Sequence, residues 1–110
     1  MPARLRCVFC DPDAVDLESR LGRRALEACA RAGVEVVEEP DDVAQEMRER
    51  GLRPEACIAV GAGLAGAPVS AVWVGPLDLD VRGPEVRSAE DGDELLYEAV
   101  ITELAERRGG

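Results

Sequence analysis

Short apolar runs alternate with amphipathic stretches along the first sixty residues of this chain. Three of these runs are β-leaning and predict strands, at residues 5–10, 34–37 and 56–60. Between them, apolar side chains recur at helical spacing. They predict a helix that begins between residues 12 and 17 and ends before Gly33, and a second helix over residues 41–50 that ends before Gly51. This β-α-β-α-β order predicts a parallel sheet with right-handed crossovers.

The pattern changes after residue 60. Residues 69–74 form another β-type run, but only residues 61–68 separate it from the third strand. A parallel crossover normally needs about a dozen residues, so we expect an antiparallel hairpin here. Alternating apolar and acidic residues at 77–81 predict an edge strand, and residues 82–89 a loop. A final helix is expected from about residue 89 to 107, with Ser88 and Asp91 as a capping-box start and Leu96, Val100 and Leu104 buried.

These elements predict one domain over residues 1–110, because the chain is too short to build two cores. We expect a three-layer α/β domain of the Rossmann-like or flavodoxin-like type. Its parallel β-α-β-α-β half would be followed by the antiparallel hairpin and the C-terminal helix.

The composition removes several kinds of chemistry. The chain has no His and no Lys, and all 13 basic residues are Arg. Schiff-base chemistry, a phosphate-binding lysine and His-ligated zinc are therefore excluded. The net charge of −10 repels phosphate backbones and anionic membrane surfaces, so we expect neither nucleic acid nor a membrane as a partner. The sequence shows no apolar segment typical of a signal peptide, and we expect a cytoplasmic protein.

Two acids directly follow the first predicted strand, in the sequence Asp11-Pro-Asp13-Ala-Val15. Carboxylates at the carboxyl edge of a parallel sheet lie where α/β domains bind ligands, and such a pair could hold Mg²⁺. The motif resembles the first motif of the haloacid dehalogenase-like phosphatases, and the stretch 51–61 resembles their later strand. The resemblance implies Asp11 as nucleophile and Asp13 as acid/base. The chain departs from that family at Ala62, where the family has an acid, and in having no Lys.

The same paired acids also resemble those of receiver domains of two-component systems. That family is phosphorylated on an Asp at the end of the third strand and uses a late Lys. Neither residue is present in this chain. The resemblance therefore implies a receiver-like domain without phosphorylation.

The glycines Gly61, Gly63 and Gly66 follow the third predicted strand with Gly-x-Gly-x-x-Gly spacing, which is how a dinucleotide-binding fingerprint begins. The fingerprint should then open a helix that holds the phosphates. Here Pro68 and a β-type run follow instead. The interpretation is a glycine-rich turn, with binding of a nucleotide or another small ligand as the alternative.

Four cysteines are present, and Cys7 and Cys10 have Cys-x-x-Cys spacing. On a strand, positions three apart point to opposite faces of the sheet and cannot form a disulfide with each other. We expect Cys7, Cys10, Cys29 and Cys57 to be small buried hydrophobic residues. Cys7 or Cys10 could approach Cys57 if the first and third strands are neighbours.

The poor inventory of catalytic side chains favours a non-catalytic binding or assembly domain, with a protein partner or a second copy of the chain as its ligand. Two alternatives stay open. One is a Mg²⁺-dependent phosphatase or phosphotransfer enzyme that uses Asp11 and Asp13. The other is a ligand-binding module that uses Gly61, Gly63 and Gly66. The leading hypothesis needs no cofactor, and Mg²⁺ belongs to the first alternative.

Overall fold

The structure is a computed structural model that describes residues 4–75, 85–89 and 94–108. These residues form the strands β1 Cys7–Cys10, β2 Glu35–Glu38, β3 Cys57–Val60, β4 Ala71–Val74 and β5 Val86–Ser88. They also form the helices α1 Arg20–Ala32, α2 Val43–Arg50 and α3 Leu95–Arg108. Within the described residues, no helix is both long and apolar enough to cross a lipid bilayer.

The five strands form one sheet in the order β2-β1-β3-β4-β5, and every neighbouring pair is parallel. This strand order is that of flavodoxin-like doubly wound domains. Every residue of β1, β3 and β4 is buried. Because both faces of these strands are covered, their sequences are apolar throughout and do not alternate. The parallel α/β prediction is confirmed.

The helices cover the sheet from both sides. One apolar cluster joins α1 and α3 to side chains such as Val8 and Cys10. The opposite cluster joins Met47 of α2 to Cys7 and Phe9. The three-layer prediction is therefore confirmed, and so is the placement of Cys7 and Cys10 on opposite faces of β1.

The helix ends follow local hydrogen bonding. As predicted, α1 and α2 stop at Gly33 and Gly51, which adopt left-handed conformations with φ of 73° and 67°. The predicted start of α1 between residues 12 and 17 is wrong, because Ser19 is the N-cap and its hydroxyl accepts the N–H of Gly22 at 3.0 Å. The carboxylate of Asp16 instead accepts the N–H of Glu18 at 2.9 Å, which holds the preceding residues in a turn.

The predicted antiparallel hairpin is wrong, because β3 and β4 run parallel with Ile58 opposite Ala71. The connection over residues 61–70 contains a short 3₁₀ turn, Ala62–Leu64, and carries the chain back along the sheet. Each strand has only 4 residues and rises about 13 Å, a distance that ten connecting residues can span without a helix. The usual minimum length for a crossover applies to connections that include a helix, and short strands relax it.

The late part of the chain differs from the prediction in two further places. The predicted strand at 77–81 lies outside the described residues. Residues 86–88, which we predicted as part of a loop, form β5 beside β4. Ser88 therefore belongs to a strand and cannot cap the last helix, and α3 begins at Leu95, later than expected.

A buried glutamate, Glu103, joins α3 to the strands β4 and β5. Glu103 is only 2% exposed. Its Oε1 accepts the indole N–H of Trp73 at 3.2 Å and lies 3.1 Å from an Arg87 guanidinium nitrogen, while Oε2 accepts Nε–H of Arg107 at 3.1 Å. Arg107 also donates to the backbone oxygen of Glu55, just before β3. The carboxylate thereby joins the helix to β4 and β5, and Arg107 joins it to the turn before β3.

We expect Glu103→Ala to lower the free energy of unfolding by about 3 kcal/mol, because the largely buried Arg107 guanidinium loses its carboxylate and the Trp73 N–H loses its acceptor. Glu106→Ala is the matched control. It removes an exposed partner of Arg87 and should cost less than about 1 kcal/mol. Urea unfolding followed by the fluorescence of Trp73, the single tryptophan, measures both. Equal losses in the two variants would contradict this role of Glu103.

Candidate functional site

The carboxyl ends of β1 and β3 define the candidate site. The chain leaves β1 toward β2 on one side and leaves β3 toward β4 on the other, so the strand order reverses between them. In doubly wound sheets, ligands bind in the crevice at this switch point. Asp11 follows β1 here and Gly61 follows β3, and the N–H of Asp11 donates to the backbone oxygen of Val60 at 2.9 Å. The structure thus brings together two of the segments singled out from the sequence.

The Asp11 side chain is buried at the switch point, with 7% of the residue exposed. Its Oδ1 accepts the backbone N–H of Asp13 at 3.0 Å, and its Oδ2 accepts the backbone N–H of Gly63 at 3.1 Å. A buried carboxylate is stabilised by such hydrogen bonds, and the bonds in turn fix the loops that supply them. Asp11 therefore joins the loop after β1 to the loop after β3.

The close approach of Asp11 accounts for two of the three glycines. A Cβ on Gly61 would lie 2.4 Å from Cβ of Asp11, and a Cβ on Gly63 would lie 2.3 Å from Oδ2 of Asp11. Gly61 also has φ of 119°, which other residues rarely adopt. Gly66 has no such neighbour within 4 Å, although its φ is 87°. In this loop the Gly63 N–H points at a carboxylate of the chain itself.

The second acid of the motif has a different environment. Asp13 is exposed, and its backbone N–H, rather than its side chain, contacts Asp11. Within the part of the chain that the structure describes, no group of three or more His, Cys, Asp or Glu residues is placed to hold a metal ion. A groove of about 220 Å³ lies nearby, between residues 14–16 and the starts of α1 and α3. Neither Asp11 nor Asp13 lines it.

The cysteines pack as two neighbouring pairs. Cys7 of β1 lies opposite Cys57 of β3 in the parallel register, on the face toward α2. Cys10 lies on the other face, in the same cluster as Cys29 of α1. All four are buried, as predicted, and all four are free thiols. Burial is the main cause that raises the pKa of Cys7 and of Cys10 to about 12, and that of Cys29 and of Cys57 to about 11. Such thiols are poor nucleophiles at neutral pH.

Sequence reasoning missed Glu103 and its partners Arg87 and Arg107. One signal was available, since position 103 falls at helical spacing behind the buried Leu96 and Val100 and therefore on the apolar side of α3. A charged residue on such a stripe requires a partner. Nothing in the sequence indicated that Arg87, from a segment predicted as a loop, would be one of the partners.

No family profile, curated protein or solved structure was found to match this chain.

We expect Asp11→Ala to lower the free energy of unfolding by about 2 kcal/mol, because the N–H groups of Asp13 and Gly63 lose their acceptor. Asp13→Ala, which removes an exposed side chain two residues away, should change the stability by less than about 0.5 kcal/mol. Urea unfolding measures both variants. If Asp11→Ala were as stable as Asp13→Ala, the two hydrogen bonds would contribute nothing to the fold.

The raised thiol pKa values predict alkaline sensitivity. An unfolded chain loses each thiol proton near pH 9, the ordinary value, whereas the folded chain keeps these protons to about pH 11 or 12. The stabilisation is therefore complete below pH 9 and falls as the pH rises above it. Each thiol contributes a slope of up to about 1.4 kcal/mol per pH unit.

Cys10→Ala should remove the contribution of one thiol to the fall of the unfolding free energy with pH. We expect its free energy of unfolding to fall less steeply than that of the parent protein between pH 9 and 10.5. The parent slope and the variant slope should coincide between pH 6 and 8, where no thiol ionises in either state. Guanidinium unfolding at a series of pH values measures the slopes. Parallel curves above pH 9 would contradict the assignment.

Proposed function

We propose that this chain is a non-catalytic binding or assembly domain. The observation that carries the proposal is the use of the Asp11 carboxylate. Each of its two oxygens accepts a backbone N–H from a loop beside the switch point. A nucleophile or a metal ligand acts through those same oxygens, so either role would have to share or replace bonds that hold the loops together.

The glycine-rich loop supports the same proposal. In phosphate-binding loops the backbone N–H groups are directed at the ligand. Here the N–H of Gly63 is donated to Asp11, and Gly61 and Gly63 lack side chains where the Asp11 side chain lies. The space that a phosphate oxygen would need beside this N–H is taken by a carboxylate of the protein.

Mg²⁺-dependent phosphoryl transfer is the second candidate, since Asp11 lies at the carboxyl edge of the sheet where ligands of α/β domains bind. It would need Asp11 as nucleophile and Asp13 as acid/base, as in the haloacid dehalogenase-like phosphatases. The ligand-binding module that uses Gly61, Gly63 and Gly66 is the third. In both of these alternatives the ligand would bind at Asp11 or at the residues beside it.

One set of measurements distinguishes the three candidates. For the proposed function we expect no Mg²⁺-dependent release of phosphate from an aryl phosphate or from a panel of small phosphate esters. We also expect no rise in melting temperature with Mg²⁺, a nucleotide or a flavin, since a ligand that binds the folded state would stabilise it by mass action.

The variants Asp11→Asn and Asp13→Asn identify the origin of any activity that does occur. Turnover that survives purification and is lost in Asp11→Asn would overturn the proposed function and establish the second candidate. A melting-temperature increase with a nucleotide or flavin that disappears in Gly66→Asn, where an added Cβ meets no atom within 4 Å, would establish the third. The Asp11→Asn variant keeps one carbonyl oxygen as an acceptor, so it should remain folded.

A further inference from the structure

The outer face of α1 carries a row of arginines that the switch point does not use. Arg20, Arg23, Arg24 and Arg31 are all exposed. They fall within one side of the helix, because Arg23 and Arg24 lie three and four residues after Arg20, and Arg31 lies seven residues after Arg24. We call these four residues the arginine stripe. Glu27, the single acid within α1, lies among them.

No member of the arginine stripe forms an ion pair within the described residues. The arginines that form ion pairs in residues 4–75, 85–89 and 94–108 are Arg50, Arg87 and Arg107. Arg20, Arg23 and Arg24 lie in the first two turns of α1. The first turn contains no acidic residue. Positive charge there opposes the helix dipole, and arginines three and four residues apart repel one another. The stripe therefore costs the isolated fold some stability.

The same molecule carries a complementary acidic segment. Residues 38–42 comprise the last residue of β2 and the loop after it, and contain Glu38, Glu39, Asp41 and Asp42, all exposed. Asp42 caps α2 through the N–H of Gln45, while no ion pair is formed by the other three within the described part of the chain. This segment lies at the edge of the sheet where α1 begins, since both follow the carboxyl ends of neighbouring parallel strands. We call it the acidic loop.

We propose that the arginine stripe of one copy binds the acidic loop of a second copy, in a two-fold dimer. The proposal rests on the proposed function and specifies its partner. In a two-fold arrangement the contact occurs twice, stripe to loop and loop to stripe, and the assembly closes. Each protein carries a net charge of −10, but at physiological ionic strength charges more than about 8 Å apart are largely screened. Guanidinium groups in contact with carboxylates are screened much less.

The test exchanges the charges. Arg23→Glu with Arg24→Glu reverses the centre of the stripe and places acids near the start of α1, where the helix dipole favours them, so the variant should stay folded. Glu39→Arg with Asp41→Arg reverses the acidic loop and leaves the cap Asp42 in place. Arg48→Glu with Arg53→Glu is the matched control, because it changes the net charge as the stripe variant does at exposed positions elsewhere.

Light scattering at 0.15 M salt gives the mass of each protein. We expect the parent protein and the Arg48/Arg53 control at twice the 11.8 kDa of one chain. Each of the two reversed variants should have a dissociation constant raised at least about a hundredfold, because like charges then meet across the interface. An equimolar mixture of the two reversed variants should regain the mass of a dimer, since both contacts in the mixed dimer join opposite charges.

Two outcomes would overturn the inference. The first is a parent protein that stays at 11.8 kDa up to millimolar concentration, which would leave the proposed function standing with a different protein as partner. The second is a dimer that the stripe and loop variants do not weaken, or that the mixture does not restore. Turnover that depends on Asp11 would instead remove the proposed function, and it would do so whatever the mass of the particle.

Discussion

The carboxylate of Asp11 and the backbone N–H of Gly63 join the two loops that leave the centre of the sheet in opposite directions. That bond sets the path of the chain at the switch point. It brings Asp11 against residue 61 and residue 63, where a Cβ would lie within 2.4 Å of the Asp11 side chain or closer. The glycines after β3 and the acid after β1 are therefore one feature, although fifty residues separate them. Neither the acid motif nor the glycine motif describes it alone.

A second buried carboxylate joins α3 to the sheet. Glu103 binds Trp73 of β4, Arg87 of β5 and Arg107 of its own helix, whereas Asp11 binds backbone N–H groups of the loops after β1 and β3. The partners differ because the settings differ. Asp11 lies beside two loops that offer it the backbone N–H groups of Asp13 and Gly63. Glu103 lies on a helix whose own N–H groups are already bonded, so its carboxylate requires donors from side chains. In both places a buried charge is stable because it is fully bonded, and it orders the segments that bond it.

The sequence allowed accurate prediction where the interactions are local. The glycine ends of α1 and α2, the all-apolar strands, and the opposite faces taken by Cys7 and Cys10 follow from neighbours within a few residues. The parallel pairing of β3 and β4 did not follow from the sequence. The expected crossover length assumes a helix in the connection, and strands of only 4 residues can be connected without one. The start of α1 failed for a related reason. Asp16 and Ser19 are both suitable N-cap residues for α1. Which of them caps the helix depends on the geometry of the turn between them, and in the structure it is Ser19.

The Asp-x-Asp and Gly-x-Gly-x-x-Gly patterns show why spacing alone does not determine chemistry. A glycine-rich turn after a parallel strand offers backbone N–H groups to an anion. Whether the anion is a phosphate or a carboxylate of the same chain depends on what the neighbouring strand delivers to that position. In this protein Asp11 follows β1 at that position, and its carboxylate accepts the N–H of Gly63. Under the proposed function, the binding energy would come from another surface. The exposed arginines of α1 oppose their own helix dipole and form no ion pair within the described residues.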